Sequence, residues 1–443
     1  MKQAKVRWSK LLMCVIALAF TFAGYSCVDD NKLPEVQTYQ VKVQLAYTEG
    51  YAPREGVSVK LKNAVTNTIS EQFTDATGTA AFEAIAGVYE VSVSETRTIG
   101  LNKIVFNGTK SGIIVTTAWD AAATATVPLV ESKTNQLVIK ELYNGGCQKD
   151  DGSGSFTGDQ YVILYNNSDQ PASLENLAFG YLFPNTSQGS NNFYVNGTLY
   201  YEAQGWLPAG YAIWAFRENV TLAPGEQLVV AIQGAVNNTL TYSNSINFAN
   251  PAYYAMYDPE IFAHATAYPA PAEVIPASHY LKAYKFANVT STAWALSVTS
   301  PAFIIFRTEG ITPGEFAVDM DRIVLNGTSA SQAGRKVPVE WVVDGIEIYA
   351  KGNAANKKRL TSTIDGGYME LTNAQGHTLY RNVDKEATEA IASNAGKLVE
   401  GYAADPSGID AEASIKNGAY IIYKDTNNST NDFHERSKAS LRN

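Results

Sequence analysis

The densest run of oxygen donors in the chain lies between Lys149 and Asp159, where Asp150, Asp151, Ser153, Ser155 and Asp159 are spaced by Gly152 and Gly154. Calcium takes roughly six to eight oxygen ligands, so Asp150, Asp151 and Asp159 form a candidate Ca²⁺ loop. The spacing departs from the Asp-x-Asp-x-Asp-Gly pattern with its distant Glu, and an acidic, solvated loop is the simpler reading. Asp319 and Asp321 would share one face of a strand. Glycoside hydrolysis needs two carboxyls roughly 5 to 9 Å apart across a sugar, but beside Arg322 these two read as a solvated pair with a salt bridge. Gly152-Ser153-Gly154-Ser155 lacks the Gly-x-Ser-x-Gly spacing of a nucleophile elbow. The chain has no Gly-x-x-x-x-Gly-Lys phosphate loop and no His-Glu-x-x-His zinc motif. Its four histidines, His264, His279, His377 and His434, form no doublet at helical spacing. The expectation is therefore no enzyme, no cofactor and no catalytic residues. Recognition potential rests on aromatic side chains crowding the middle of the chain, with Trp206, Trp214, Tyr253 and Tyr254 as candidate ligand-binding residues, since Tyr and Trp join an apolar face to a polar handle. Core packing uses the same residue types.

The elements that must position these groups are strands. Charged residues make up only 17% of 443, whereas Tyr numbers 26 and Phe 17; that balance favours strands over solvated helices. Apolar and polar residues alternate from Tyr39 to Leu45 and again from Val57 to Leu61, as in half-buried strands. Thr74-Asp75-Ala76-Thr77-Gly78 is a turn, in which aspartate bonds the local backbone and glycine accepts a positive φ. Thr79 to Phe82 and Glu90 to Ser94 follow as strands, and Asn107-Gly108 with a strand from Ala123 to Leu129 completes a module over residues 37–131. Glu131 to Asn135 is a polar hinge. Strands then run from Gln136 to Tyr143, Gln160 to Tyr165, Gln227 to Ala231, Ala302 to Phe306 and Val339 to Tyr349, giving a second module over residues 136–349. The stretch between Ala231 and Ser300 is inserted, and its Pro-rich part near Tyr268 reads as a long exposed loop. Residues 350–443 form an extension packing on the second module, with a short helix between Asp384 and Ser393.

The first 26 residues carry Lys2, Lys5, Arg7 and Lys10, then an uncharged apolar run from Leu11 to Ala23. That run is shorter than the roughly 20 residues a bilayer-spanning helix needs, so it reads as a cleavable secretory signal. Ala23-Gly24-Tyr25-Ser26-Cys27 resembles the lipobox of bacterial lipoproteins, with Gly24 where a large aliphatic residue is usual. The resemblance implies that Cys27 becomes the diacylglycerol- and palmitate-bearing first residue of the mature protein, anchored by several chains at ~0.8 kcal/mol per buried CH₂. Residues 27–36 are then a lipidated tether, and its acidic pair Asp29-Asp30 resembles the surface-export signal of Bacteroides-type lipoproteins. Without the signal's four positive charges the whole-chain net charge of −9 becomes −13, which argues against nucleic acid as a partner. Cys14 departs with the signal, so Cys147 is the one thiol of the mature chain and cannot form an internal disulfide.

The turn at Asp75 and Gly78, the apolar residue after it, Gly87-Val88-Tyr89 and the strand beyond resemble a carboxypeptidase-regulatory-like, or transthyretin-like, domain. Gln160-Tyr161-Val162-Ile163-Leu164-Tyr165, the Asn166-Asn167 turn, Leu174 to Ala178 and Leu222-Ala223-Pro224-Gly225 resemble a lamin-tail-like domain. The tail from Asn431 to Arg442 resembles the closing segment of Bacteroides-type outer-membrane lipoproteins of unknown function. These resemblances imply an all-β chain, a transthyretin-like sandwich followed by an elaborated Ig-like sandwich with long loops. They lead to the expectation of a non-catalytic binding or accessory protein on the cell surface. It would be held in the outer membrane through its lipid and partnered by a TonB-dependent nutrient transporter or by an extracellular glycan or peptide. An adhesin or structural surface component is the alternative, and a hydrolase assembled from distant loops the weakest.

Overall fold

A computed structural model describes residues 37–99, 102–133, 135–328 and 330–442. The expected signal (1–26), the lipidation site Cys27 and the tether to residue 36 lie outside the described residues.

The first module has eight strands: β1 Tyr39–Ala46, β2 Ser58–Asn63, β3 Ile69–Phe73, β4 Thr79–Ala84, β5 Gly87–Ile99, β6 Asn102–Val115, β7 Thr124–Pro128 and β8 Val130–Lys133. They form a three-stranded sheet in the order β4-β1-β7 and a five-stranded sheet in the order β3-β2-β5-β6-β8. Successive side chains on a strand point to opposite faces, so Val41, Val43, Val59, Leu61, Val91 and Val93 all turn inward and bury one core with Phe82 and Phe106. Ser58, Lys60 and Lys62, and on β5 Glu90, Ser92 and Ser94, are left on the outer face of the larger sheet. The turn before β4 forms as its residues require: the Asp75 carboxylate accepts from the Thr77 and Thr79 amides at 2.8 and 3.0 Å, and Gly78 has φ +78°. Asn107-Gly108 lies inside the long strand β6. A Cβ at Gly108 would stand 2.6 Å from a Leu129 methyl and 2.8 Å from the Pro128 carbonyl, so the glycine is there for close approach. The expected hinge from Glu131 to Asn135 is corrected: β8 pairs with β6 through Lys133, so the module runs past residue 131.

The second module is a sandwich of two six-stranded sheets. One has the order Tyr254–Ala255, Gln227–Ala231, Tyr161–Asn166, Leu137–Tyr143, Thr378–Arg381, Phe433–Arg436. The other has the order Lys282–Lys285, Ala212–Ala215, Leu177–Tyr181, Ala302–Arg307, Val342–Ala350, Met369–Leu371. Leu137, Ile139, Leu164, Phe179, Trp214 and Phe303 belong to the core between them. All seven residues of Leu137–Tyr143 and all six of Tyr161–Asn166 are buried, because the first sheet is covered on its outer face too. The insertion covers one part of that face, packing Phe248 and Ile275 on Tyr161 and Ile163. Residues after 380 cover the rest, packing Ile409, Ile421 and Tyr423 on Val138, Tyr165 and Tyr380.

Two expectations change accordingly, the second in part. Residues 350–443 are not an extension on a finished domain, since three of their strands complete the two sheets. The stretch around Tyr268 is a loop with many exposed residues, as expected, but Tyr268 itself is buried beside Trp214 and Phe262 and pins it to the core. The expected short helix forms over Lys385–Glu389, with the Asp384 carboxylate capping the Ala387 amide at 3.1 Å.

Candidate functional site

A cleft of about 1260 Å³ opens between the outer face of the first module's larger sheet and the second module. That exceeds the few hundred to about 1,000 Å³ usual for a small-molecule pocket. One wall is the β3-β2-β5 surface, presenting Ser58, Lys60, Glu71, Ser92 and Ser94, with Arg54 and Arg97 at one end. Strand alternation puts Ser58, Lys60, Ser92 and Ser94 there, since Val59, Leu61, Val91 and Val93 point into the core. Arg54 instead comes from a loop, and Arg97 lies over the Tyr47 and Phe106 rings at the end of β5. The opposite wall comes from the helix at Lys385–Glu389 and the segment leading to the last strand, presenting Asp384, Glu386, Lys424, Asp425 and Asn431. A smaller hollow of about 250 Å³ adjoins it, shares Lys60 and Thr430, and is lined by Ile69, Lys62 and Tyr368.

The modules meet through few, polar contacts. Asn107 donates its side-chain amide to the backbone carbonyls of Thr426 and, at 3.1 Å, Asn427. Lys62 reaches the Tyr368 hydroxyl at 3.0 Å, and Lys60 reaches the Asn431 side-chain oxygen at 3.3 Å. Side-chain polar atoms are left over at this seam: the Ser94 hydroxyl and both amide atoms of the buried Asn428 have no hydrogen-bond partner.

Behind the second wall lies a cluster of three carboxylates around one guanidinium. Arg381 donates to Asp344, stands 3.6 and 3.7 Å from Asp425 and Asp432, and also donates to the carbonyls of Ile139 and Lys424 at 2.8 and 2.9 Å. Burial raises the carboxyls of Asp344, Asp425 and Asp432 above the usual range, against the pull of Arg381. Asp425, with the other two carboxylates beside it, is pushed up to about 7. Asp432 also shapes the wall, accepting from the Thr426 amide at 2.8 Å and the Asn428 amide at 3.2 Å.

The sequence-derived candidates lie elsewhere and do not come together. The Asp150 carboxylate accepts from the Ser243 amide at 2.9 and 3.0 Å, while Asp151 caps the Ser153 amide at 2.9 Å. Asp159 turns into the interior, where it accepts from Ser245 and Tyr143 at 2.6 and 3.3 Å. Among the described residues no three His, Cys, Asp or Glu side chains gather as metal ligands. Asp319 and Asp321 are on a tight turn rather than a strand, and Asp319 pairs with Arg322 at 3.0 Å. Trp214 is a core residue with no exposure, and Trp206 is buried against Tyr200 and Tyr201. Tyr253 and Tyr254 are half-buried. Tyr254 stacks on His279 at 4.0 Å between ring centroids, beside a hollow of about 220 Å³. The cleft residues escaped the sequence reading because serine and lysine alternating with valine is how any solvated sheet face is written.

Cys147 sits in the Asp159 pocket, where burial and then the nearby carboxylate push its thiol up to about 12. Its thiolate fraction at neutral pH is negligible. In a chain beginning at residue 28, where it is the one cysteine, Ellman's reagent is expected to react only as fast as the protein unfolds. Rapid labelling of the native protein would contradict that burial.

The sequence profile of DUF4876, a family described as protein of unknown function, matches residues 223–440. No curated protein matches the chain. A DUF4876 family protein from Bacteroides thetaiotaomicron has a similar structure, with 21% identity and a TM-score of 0.51 over 89% of this chain and 94% of that one. At that identity the likeness carries the fold. A DUF3823 family protein from Parabacteroides merdae aligns over 45% of this chain and 83% of its own, at 11% identity and a TM-score of 0.15.

Proposed function

We propose that this is a lipid-anchored protein of the bacterial outer membrane that faces the medium and holds a soluble ligand between its two β modules, without catalysing a reaction. It serves as an accessory to a nutrient-uptake transporter of the TonB-dependent kind. The observation that carries the binding role is the 1260 Å³ cleft, with polar walls supplied by both modules. Interfaces made of a few polar contacts let domains move relative to one another, so a ligand can enter between them and draw them together. The anchoring rests on Cys27 at the end of the apolar N-terminal run and on the acidic residues Asp29 and Asp30 that follow it.

The test is protease treatment of intact cells expressing a C-terminally tagged chain, alongside a periplasmic control protein. The tag is expected to disappear while the control survives, and Cys27→Ala is expected to move the protein into the soluble fraction. Protection of the tag until lysis would place the modules in the periplasm and overturn the surface role. Retention of Cys27→Ala on membranes would overturn the lipid anchor.

A further inference from the structure

The two walls of the cleft differ in charge, and that difference identifies what fits between them. On the sheet wall Arg54 and Arg97 share one carboxylate, Glu95, at 3.7 and 2.6 Å, and Lys60 stands opposite Glu71 across the strands, which leaves this wall a net positive charge. On the opposite wall Asp384 and Glu386 outweigh the single cation Lys424, with the carboxylates around Arg381 behind them. A ligand bridging the cleft meets donors on one side and acceptors on the other.

The walls offer no stacking platform. Among the described residues Phe433 is the one aromatic lining the cleft; it is 4% exposed, and the Arg381 guanidinium lies over its ring at 4.5 Å. Proteins that hold sugar rings commonly lay them on exposed aromatic faces, whereas here the exposed ring is Phe73, out at the rim and not on a wall. Strand β3, at the rim, offers a different surface. It is the outermost strand of its sheet, all five of its residues are exposed, and Ile69 and Phe73 are 54% and 62% exposed. Proteins ordinarily blunt such an edge, because its free backbone groups template another strand. Here Glu71, between the two apolar residues, lines the cleft itself.

Resting on the cleft reading above, we infer that the ligand is an extended oligopeptide with free ends. It lies along the edge of β3, with carboxylate groups toward Arg54 and Lys60 and amino groups toward Asp384 and Glu386. Main-chain pairing to an edge strand gives affinity without strict sequence preference. The opposed charges demand a dipolar ligand, and the apolar Ile69 and Phe73 accept alternate side chains.

The test takes the mature chain (residues 28–443) and a tryptic digest of casein, with retained peptides identified by mass spectrometry after equilibrium dialysis. The same digest, N-acetylated and methyl-esterified, is the first comparison, and a mixture of malto- and xylo-oligosaccharides is the second. Free-ended peptides are expected to be retained at least tenfold over the blocked digest. The affinity of a retained peptide by calorimetry is expected to fall at least tenfold in Lys60→Gln and in Glu386→Gln. Glu386 is exposed and Lys60 is half-buried with one hydrogen bond to Asn431, so circular dichroism serves as the check on folding. Equal retention of blocked and free digests would overturn the inference. So would saturable binding of the oligosaccharides alone, although that result would leave the cleft as a ligand site. Failure of every probe to bind would overturn the inference and the cleft reading together.

Discussion

Arg359→Met is expected to lower the unfolding free energy of the second module by about 3–5 kcal/mol, the cost of leaving a buried charge without its partner. Arg359 and Glu347 both have no exposed surface. The Glu347 carboxylate accepts from the Arg359 guanidinium at 2.6 and 2.9 Å and from the backbone amides of Arg359 and Leu360 at 2.8 Å each. Arg359 also donates to the carbonyls of Pro184 and Ile348 at 3.0 and 3.1 Å, so four of its five donors are used. Methionine fills much of the same volume but supplies no donor, leaving an ionised carboxylate sealed inside the sandwich. Against a total of about 5–15 kcal/mol for a domain, the loss is large. Urea denaturation followed by tryptophan fluorescence measures it, since Trp206, Trp214, Trp294 and Trp341 all belong to the second module. The double variant Arg359→Met with Glu347→Leu is expected to recover a substantial part of the loss, because no orphaned charge remains. An unchanged urea midpoint in Arg359→Met would show that the pair adds nothing to stability.

Asp425→Asn is expected to gain stability relative to the natural chain as pH rises, because Asp425 is a carboxyl whose fold favours its neutral form. Its folded value near 7 lies above the roughly 3.9 of an unfolded aspartate. A raised carboxyl contributes stability that is fully present below the unfolded value and is lost as pH climbs toward the folded value. Between about pH 4 and 7 that loss approaches 1.4 kcal/mol per pH unit and then levels off. Asparagine cannot ionise, so the difference between the two proteins should move in favour of Asp425→Asn from pH 5 to 7 and flatten between 7 and 8. Measuring the difference matters, because groups away from this cluster, His434 and Asp159 among them, also titrate between the folded and unfolded states and cancel from it. Burial, aided by the charge of Arg436, holds the His434 imidazole down to about 3, which costs stability as pH falls below about 6.5. Burial raises Asp159 to about 6, with the same sign as Asp425. A stability difference that does not change with pH would mean that Asp425 ionises normally and that Arg381 neutralises it.

The sequence by itself determined the all-β character and strands such as Tyr39–Ala46, Leu137–Tyr143, Tyr161–Asn166 and Ala302–Arg307, because these follow from nearest-neighbour chemistry, whereas short or polar strands such as Ile69–Phe73, Lys282–Lys285 and Phe433–Arg436 carry no such pattern. Alternation in Tyr39 to Leu45 fixes a strand and its inner face, and Asp75 with Gly78 fixes a turn, wherever the rest of the chain goes. It also carries the expectation about Cys27, which depends on a local pattern. Tertiary structure alone decided what a residue's burial means. Trp214 and Tyr268 are aromatic in the sequence and could as well be surface or core; which they became depended on an insertion folding back over a sheet. Lys140 and Glu141 look like solvated residues, yet both faces of their strand are covered, so each is fully buried and must find its partner from far along the chain. Lys140 meets Glu412 at 2.6 Å, and Glu141 meets Tyr161 at 2.7 Å and the amide of Ser440 at 3.0 Å. The same holds for the cleft. Lys60 and Glu386 lie more than three hundred residues apart, and no periodicity or motif links them. Local patterns specify backbone conformation, whereas a site between modules exists only once long-range pairing has brought its walls together.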